Sequence, residues 1–319
     1  MNSEIELDGI VSAINRANSI GIFTHVSPDG DAIGSSLGLY LGLKQLKKDV
    51  DVVVDEYSRC FNFLPNVDEV KKSGKKHYDL SIAVDCATRE RLFDPNNSFD
   101  NSDVTVSIDH HISNNYFANY NFVEGSSPAA SKTLIKLFKR LGISINSDIG
   151  TCLMAGIITD SGGFRYSNVD DETFEFAAQM LDVGVNISDI YYRTFDVKTS
   201  AQFELAAIAN SRLKFYHEGK IALTYVTLND MNKVGAMTGD HEGIVNVGRN
   251  IEGVVVSIFL REDIDGTYKV SMRSNDTVNV SDIAEVFNGG GHDMAAGCTL
   301  ECSLNEAIDM LVKETVKKL

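Results

Sequence analysis

The chain has 319 residues, 43% of them hydrophobic, and a formal net charge of -16 at pH 7. That length suits two domains at roughly 150 residues each, and four prolines with no low-complexity tract exclude a disordered or fibrous polymer. The acidity argues against long duplex DNA or RNA as a partner, because such binding depends on Lys and Arg releasing counterions. The cluster Lys71, Lys72, Lys75 and Lys76 has no interleaved aromatics and reads as a solvated face. The longest strongly apolar runs, such as Val254 to Leu260, are far too short to cross a bilayer, and the acidic N-terminus has no basic signal segment. A cytoplasmic protein with no membrane partner is expected. Five cysteines, Cys60, Cys86, Cys152, Cys298 and Cys302, lack C-x-x-C spacing, so reduced structural thiols are expected rather than a zinc finger.

Taken in order, residues 4–18 carry Ile5, Ile10, Val11, Ile14 and Ala17 near helical period. A strand follows at Ile20 to Thr24, then the polar loop His25-Val26-Ser27-Pro28-Asp29-Gly30-Asp31. A helix is expected over 32–48, with Leu37, Leu41, Leu43 and Leu46 buried, and Val50 to Val54 reads as a second strand. This βαβ order favours a parallel sheet. Strands at 79–85 and 104–109 and helices near 128–141 and 171–183 continue it. No G-x-G-x-x-G or P-loop is present; Gly30 and Gly34 read as letting the backbone turn tightly around a bound ion.

Between Val185 and Arg212 the sheet pattern lapses, and a helix over 199–213 reads as the inter-domain connection. Ile221 to Val226, Val254 to Leu260 and Tyr268 to Arg273 then read as strands. Ser303 and Glu306 form a capping box before a final helix carrying Leu304, Ala307, Ile308, Leu311 and Val312. The stretch Asn288 to Gly297, with Gly289, Gly290 and Gly291 in a row, reads as a turn that a close-approaching backbone needs. The expected fold is α/β: an N-terminal, mostly parallel sheet flanked by helices, then a smaller C-terminal α/β domain. The expected division is 1–188, a connection over 189–213, and 214–319.

Four apolar runs stop at chemistry-bearing residues. Ile20 to Thr24 leads into His25, Asp29 and Asp31; Leu80 to Val84 ends at Asp85; Val104 to Ile108 ends at Asp109-His110-His111; Ala155 to Thr159 ends at Asp160. Ligands of α/β sheets bind outside the carboxyl ends of the strands. A single Asp at such a place is commonly a cap or turn residue, but several acids and imidazoles, one of them a double His, are poorly explained by capping. Four carboxylates on one rim would repel and take up protons unless divalent cations neutralised them. Mixed carboxylate and imidazole donors suit Mn2+, Fe2+ or Co2+, with Mg2+ less apt. Two ions about 3.5–4 Å apart can activate a bridging water and hold phosphate oxygens for in-line attack. That is phosphoester hydrolysis, and one acid of the set would have to bridge both ions.

The ordered set His25-x-x-x-Asp29-x-Asp31, Asp85, Asp109-His110-His111 and Asp160 resembles motifs one to four of the DHH phosphoesterase superfamily. Gly289-Gly290-Gly291-His292 resembles the glycine-rich motif of the DHH-associated C-terminal domain. The two-domain layout is most similar to the nanoRNase/pAp phosphatase (NrnA-like) group. The resemblance implies an active site in the cleft between the domains. One ion would be held by His25, Asp29 and Asp85, the other by Asp31, Asp85, His110 and Asp160, with Asp85 bridging. It implies that His111 faces the scissile phosphate, that Asp109 orients an imidazole, and that Arg273, His292 and the glycine backbone contact substrate phosphate. One departure is Asp293-Met294 after His292, where relatives commonly carry a proline.

The activity so implied is hydrolysis of short single-stranded oligoribonucleotides to nucleoside 5′-monophosphates, and of pAp to AMP, using two divalent ions, foremost Mn2+. Alternatives within the class are a linear or cyclic dinucleotide phosphodiesterase acting on pApA, pGpG or c-di-AMP, a single-strand exonuclease and an inorganic pyrophosphatase. The exonuclease would need a basic, aromatic track, and the pyrophosphatase branch has a different C-terminal domain. Outside the class stands a nucleotide-binding sensor. Homo-oligomerisation is left open.

Overall fold

A computed structural model describes residues 3–237, 239–275 and 278–319. Its contacts divide the chain into two compact units, residues 1–197 and 198–319. The first unit begins with α1 (Ser3–Arg16), β1 (Ser19–Phe23), α2 (Gly30–Gln45) and β2 (Asp49–Val53). A short β3 (Val70–Lys71) leads to β4 (Leu80–Val84), β5 (Val104–Asp109) and β6 (Tyr120–Val123). Helices α3 (Ala130–Leu141), α4 (Ser147–Asp160), α5 (Asp171–Asp182) and α6 (Ile187–Tyr191) follow.

The sheet order is β3-β2-β1-β4-β5-β6, with every pairing parallel. Both faces of β4 are buried, which is why Leu80 to Val84 reads as an unbroken apolar run. From β1 the chain turns to β2 on one side, whereas β4, β5 and β6 fill the other. The β1/β4 junction is therefore the switch point of the sheet, where the carboxyl ends of strands leave a crevice. His25, Asp85 and His110 all lie just beyond those ends.

The fourth apolar run is not a sheet strand. Ala155 to Thr159 forms the last turns of α4, and Asp160 is that helix's final residue. From Ile149 to Ile158, α4 is buried at all positions but Thr151, so it shows no polar face and no helical period for the sequence to display. Helix α2 is nearly as enclosed and starts at Gly30, capped by Asp29, earlier than the periodicity suggested. Gly30 and Gly34 thus lie inside a helix rather than in a turn around an ion. A Cβ on Gly34 would sit 2.4 Å from the Cys152 carbonyl oxygen, so this glycine lets α2 and α4 cross closely.

The second unit holds α7 (Ser200–Ser211), β7 (Lys214–Tyr216), β8 (Ile221–Val226), α8 (Leu228–Val234) and α9 (Val245–Arg249). It continues with β9 (Val256–Glu262), β10 (Tyr268–Ser274), α10 (Val280–Glu285), β11 (Gly290–His292), β12 (Ala295–Leu300) and α11 (Leu304–Val316). The sheet runs β11-β12-β10-β9-β8-β7, antiparallel except for the β8–β9 pair. In the segment read as a connection, α7 packs Leu205 and Ala209 against Val226, Ile244, Val245 and Phe259 of this unit. The expected capping box is present: Ser303 Oγ accepts from the Glu306 amide while Glu306 accepts from the Ser303 amide.

The glycine-rich stretch is more than a turn, since residues 290–300 form the β11–β12 hairpin. A Cβ on Gly289 would meet the Gly297 carbonyl oxygen at 2.2 Å. The close-approaching backbone is thus the chain's own neighbouring strand. Among the described residues no helix is long and apolar enough to cross a membrane.

The α2–α4 crossing gives a direct test. Because the atom opposing Gly34 is backbone, it cannot move aside as a flexible side chain would. Gly34→Ala is expected to cost about 1–3 kcal/mol, measured as a lower urea midpoint with unchanged slope.

Candidate metal centre

His25, Asp29, Asp31 and His110 each have a backbone partner that holds the side chain. Asp29 Oδ1 accepts from the amides of Asp31 and Ala32, capping α2, and its Oδ2 lies 3.9 Å from His25 Nε2. The residue is thus both cap and site acid. Asp31, fully buried, accepts from the amides of Ala130 and Ser131 at the start of α3. Ala129, the N-cap residue there, has no side chain able to cap, so Asp31 does it from a hundred residues away. Gly156 is needed beside it, because a Cβ there would lie 2.4 Å from Asp31 Oδ1.

Asp85 sits at the end of β4 with φ 54°, in the left-handed region where a non-glycine residue is strained. Its amide donates to the Ile108 carbonyl, which fixes the turn. The two carboxylate oxygens diverge: Oδ2 lies 3.7 Å from His25 Nε2 and Oδ1 lies 3.3 Å from His110 Nε2. His110 Nε2 is also 3.3 Å from Asp160 Oδ2 and 3.9 Å from Asp31 Oδ2.

Both imidazoles are oriented from behind. His25 Nδ1 donates to the Val26 carbonyl at 2.9 Å, and His110 Nδ1 to the Ser127 carbonyl at 3.2 Å. A carbonyl can only accept, so each Nε2 carries the lone pair when the ring is neutral. His111 differs, because its Nδ1 donates to Asp109 Oδ1 at 2.7 Å. Asp109 is itself held by the Asn114 side-chain amide and the His110 amide.

The structure brings His25, Asp29 and Asp85 together as one group of donors, and Asp31, His110 and Asp160 as another, each within 4.8 Å. Buried Asp85 Oδ1 and His110 Nε2 have no hydrogen-bond partner among the described residues. Leaving such atoms unsatisfied is costly. Divalent ions fit here: the donor set is oxygen and imidazole, and the orphaned atoms converge. Asp85 belongs to one set through Oδ2 and adjoins the other through Oδ1.

The electrostatics agree. Burial, then the charge of Asp85, pushes Asp31 up to about 7. Burial, then the charge of Asp29, raises Asp160 as well. Burial works against a charged His25, yet Asp85 and Asp29 outweigh it and hold the ring at about 9. His110 is likewise raised against its burial by Asp160 and Asp85. Burial also opposes ionisation of Asp85, but His110 and His25 keep it well below the usual carboxylate range. Without cations, protons supply the positive charge this cluster needs.

In the second unit, Arg273 pairs in register with Ala295, which pairs with His292 across the hairpin. Neighbours in such a row share one face of a sheet, so both residues lie on the same side. Sequence reasoning missed Ser127 and Asn114, which orient His110 and Asp109.

Comparisons with known proteins place these features in a class. The model for the DHH family, N-terminal domain, matches residues 19–157, and that for the DHHA1 domain matches residues 218–318. A parallel sheet gathering aspartates and histidines at its carboxyl edge, followed by the second unit, defines it: the chain belongs to the DHH family. It is 35% identical to the bifunctional oligoribonuclease and PAP phosphatase NrnA of Thermus thermophilus, over 94% of this chain and 90% of that one. A crystal structure of an exopolyphosphatase-related protein from Bacteroides fragilis superposes with a TM-score of 0.89 at 28% identity, covering 98% and 96% of the two chains. The fold is shared with exonuclease RecJ bound to manganese, at a TM-score of 0.52 and 13% identity, covering 100% of this chain and 95% of that one.

The proton binding has a measurable sign. Folded Asp31 and His25 both hold a proton more tightly than they would unfolded. Stability is therefore lost as pH rises from about 4 to 7 for Asp31, and from about 6.5 to 9 for His25. The melting temperature of the metal-free protein is expected to fall between pH 5 and pH 9, and Mn2+ to restore it most at the alkaline end. A melting temperature flat across that range would contradict this electrostatic account.

Proposed function

We propose that this chain is a two-metal phosphoesterase that hydrolyses very short oligoribonucleotides to nucleoside 5′-monophosphates and also converts pAp to AMP. The observation that carries the reading is the divergence of the Asp85 oxygens, one toward His25 and one toward His110. The name of the Thermus relative supports the substrates. In this reading His25, Asp29 and Asp85 hold one ion, and Asp31, Asp85, His110 and Asp160 hold the other. Mn2+ is the ion we favour, on donor chemistry and the manganese reported for RecJ, ahead of Mg2+, Co2+ and Fe2+.

When bound, such ions place positive charge on phosphate oxygens and lower the pKa of a water. The protein's part is to hold the reactants. Asp109 fixes the His111 ring through Nδ1, so Nε2 is the nitrogen that serves substrate, stabilising charge or protonating the leaving oxygen. Residues 1–188 carry the catalytic groups. In 214–319, Arg273, His292 and the Gly289–Gly291 backbone contact substrate phosphate, Arg273 through its planar fork. Five cysteines without C-x-x-C spacing favour a reducing compartment, and we assign the enzyme to the cytoplasm.

The test is AMP release from 5′-phosphorylated diadenylate by the Mn2+-loaded protein, with pAp, cyclic di-AMP and pyrophosphate in parallel. Cleavage of the linear dinucleotide and of pAp is expected; silence on all four would favour a sensor. Asp85→Asn keeps a residue that tolerates the left-handed conformation but removes the charge. It should lower turnover about 1,000-fold or more, the loss of several kcal/mol of charge stabilisation, with the circular dichroism unchanged. Wild-type rates in this variant would defeat the assignment.

A further inference from the structure

Asn114 is buried beside the metal centre, and each polar atom of its side chain is committed. Its Oδ1 accepts from the Tyr116 amide at 2.7 Å. That amide can only donate, so the orientation of the side chain is fixed and Nδ2 must face the other way. There Nδ2 donates to Asp109 Oδ2 at 2.6 Å and to the Cys86 carbonyl at 3.3 Å, with Ser107 Oγ a weaker neighbour at 3.4 Å. The position calls for one acceptor and a two-hydrogen donor on a short stem. Asparagine meets that demand, whereas an ionised aspartate has no hydrogen to give, serine has one, and glutamine is a methylene too long.

The two main contacts of Nδ2 reach different parts of the site. The other oxygen of Asp109, Oδ1, accepts from His111 Nδ1 and from the His110 amide. Cys86 follows Asp85, whose left-handed φ of 54° persists only where its surroundings enforce it. They do so along the whole turn. The Asp85 amide donates to the Ile108 carbonyl, the Cys86 carbonyl accepts from Asn114, and the Ala87 carbonyl accepts from the Asn115 amide at 3.1 Å. His111 Nδ1 also lies 3.6 Å from Asp85 Oδ1. The two residues that Asn114 reaches through separate partners are therefore neighbours, and one side-chain amide governs both.

We propose that Asn114 is a positioning residue for the reaction: its amide fixes the His111 ring through Asp109 and ties that ring to the turn carrying Asp85. The inference rests on the phosphoesterase reading and adds a residue that acts only through others. A purely structural alternative is a buried amide that satisfies its neighbours and affects folding alone.

Asn114→Ala removes both contacts, and Asn114→Ser keeps a single donor hydrogen and carries the test should the alanine variant not fold. For each, kcat and KM on 5′-phosphorylated diadenylate and pAp are read with Mn2+ loaded. Melting temperature is measured alongside, together with the nitrogen-15 shifts of the His111 ring in the Mg2+-loaded protein, where the ion is not paramagnetic. Asn114→Ala is expected to lower kcat about 10- to 100-fold on both substrates while KM moves by less than about threefold. The His111 ring should pass from a single Nδ1-protonated form to a mixture, and the serine variant should fall between alanine and wild type. A folded variant with kcat within about twofold of wild type, or a lower melting temperature with the His111 signal unchanged, overturns the inference. Should the wild type cleave neither substrate, the preceding reading fails, and the His111 signal in the variants alone decides for or against Asn114.

Discussion

Gathering ionisable acids in a crevice that water barely reaches is the constraint on which the first unit depends. Asp31, Asp85 and Asp109 are buried, and Asp85 lies among two imidazoles and further carboxylates. Such a cluster survives only if each charge has a fixed donor or a cation. The fold supplies partners from backbone: amides of α2 donate to Asp29, amides of α3 donate to Asp31, and the Ile108 carbonyl of β5 accepts from the Asp85 amide and pins that turn. What backbone cannot supply is the remaining positive charge, and protons or metal ions must. The site is thus a feature of the sheet's topology before it is a feature of any one residue.

The sequence made much of this legible for a physical reason. A strand buried on both faces is a short apolar run, and its end is marked sharply when the next residue is Asp or His, as at Val84-Asp85 and Ile108-Asp109. The same rule misled at Asp160, where Ala155 to Thr159 looks like a strand because α4 is enclosed on nearly every side. Helical period is a record of contact with water, and α4 has almost none. The glycines misled in a similar way. Gly34 and Gly289 are required by neighbouring backbone, and the residues demanding them, Cys152 and Gly297, are remote or unmarked in sequence.

The residues that orient the site were the least legible. Ser127 and Val26 act through carbonyls, which every residue possesses, and Ala130 and Ser131 act through amides. Only Asn114 uses its side chain, toward Asp109, and nothing in the local pattern distinguishes it from a loop residue. Donor atoms that belong to the main chain leave no trace in residue type, whereas the metal-facing atoms do. That asymmetry explains why the acids and imidazoles could be picked out while their supports could not.

The double duty of Asp31 bears on how activity should be judged among related chains. Replacing it leaves two buried amides at the start of α3 without acceptors, whether or not catalysis is wanted, whereas among the described residues no helix cap is tied to Asp160. A descendant that abandoned chemistry would still be held to an acid at the first position by folding alone, and would be released at the second. The acid that ends α4 is therefore the better witness to a working centre, and an intact Asp-x-Asp loop by itself testifies mainly to an intact fold.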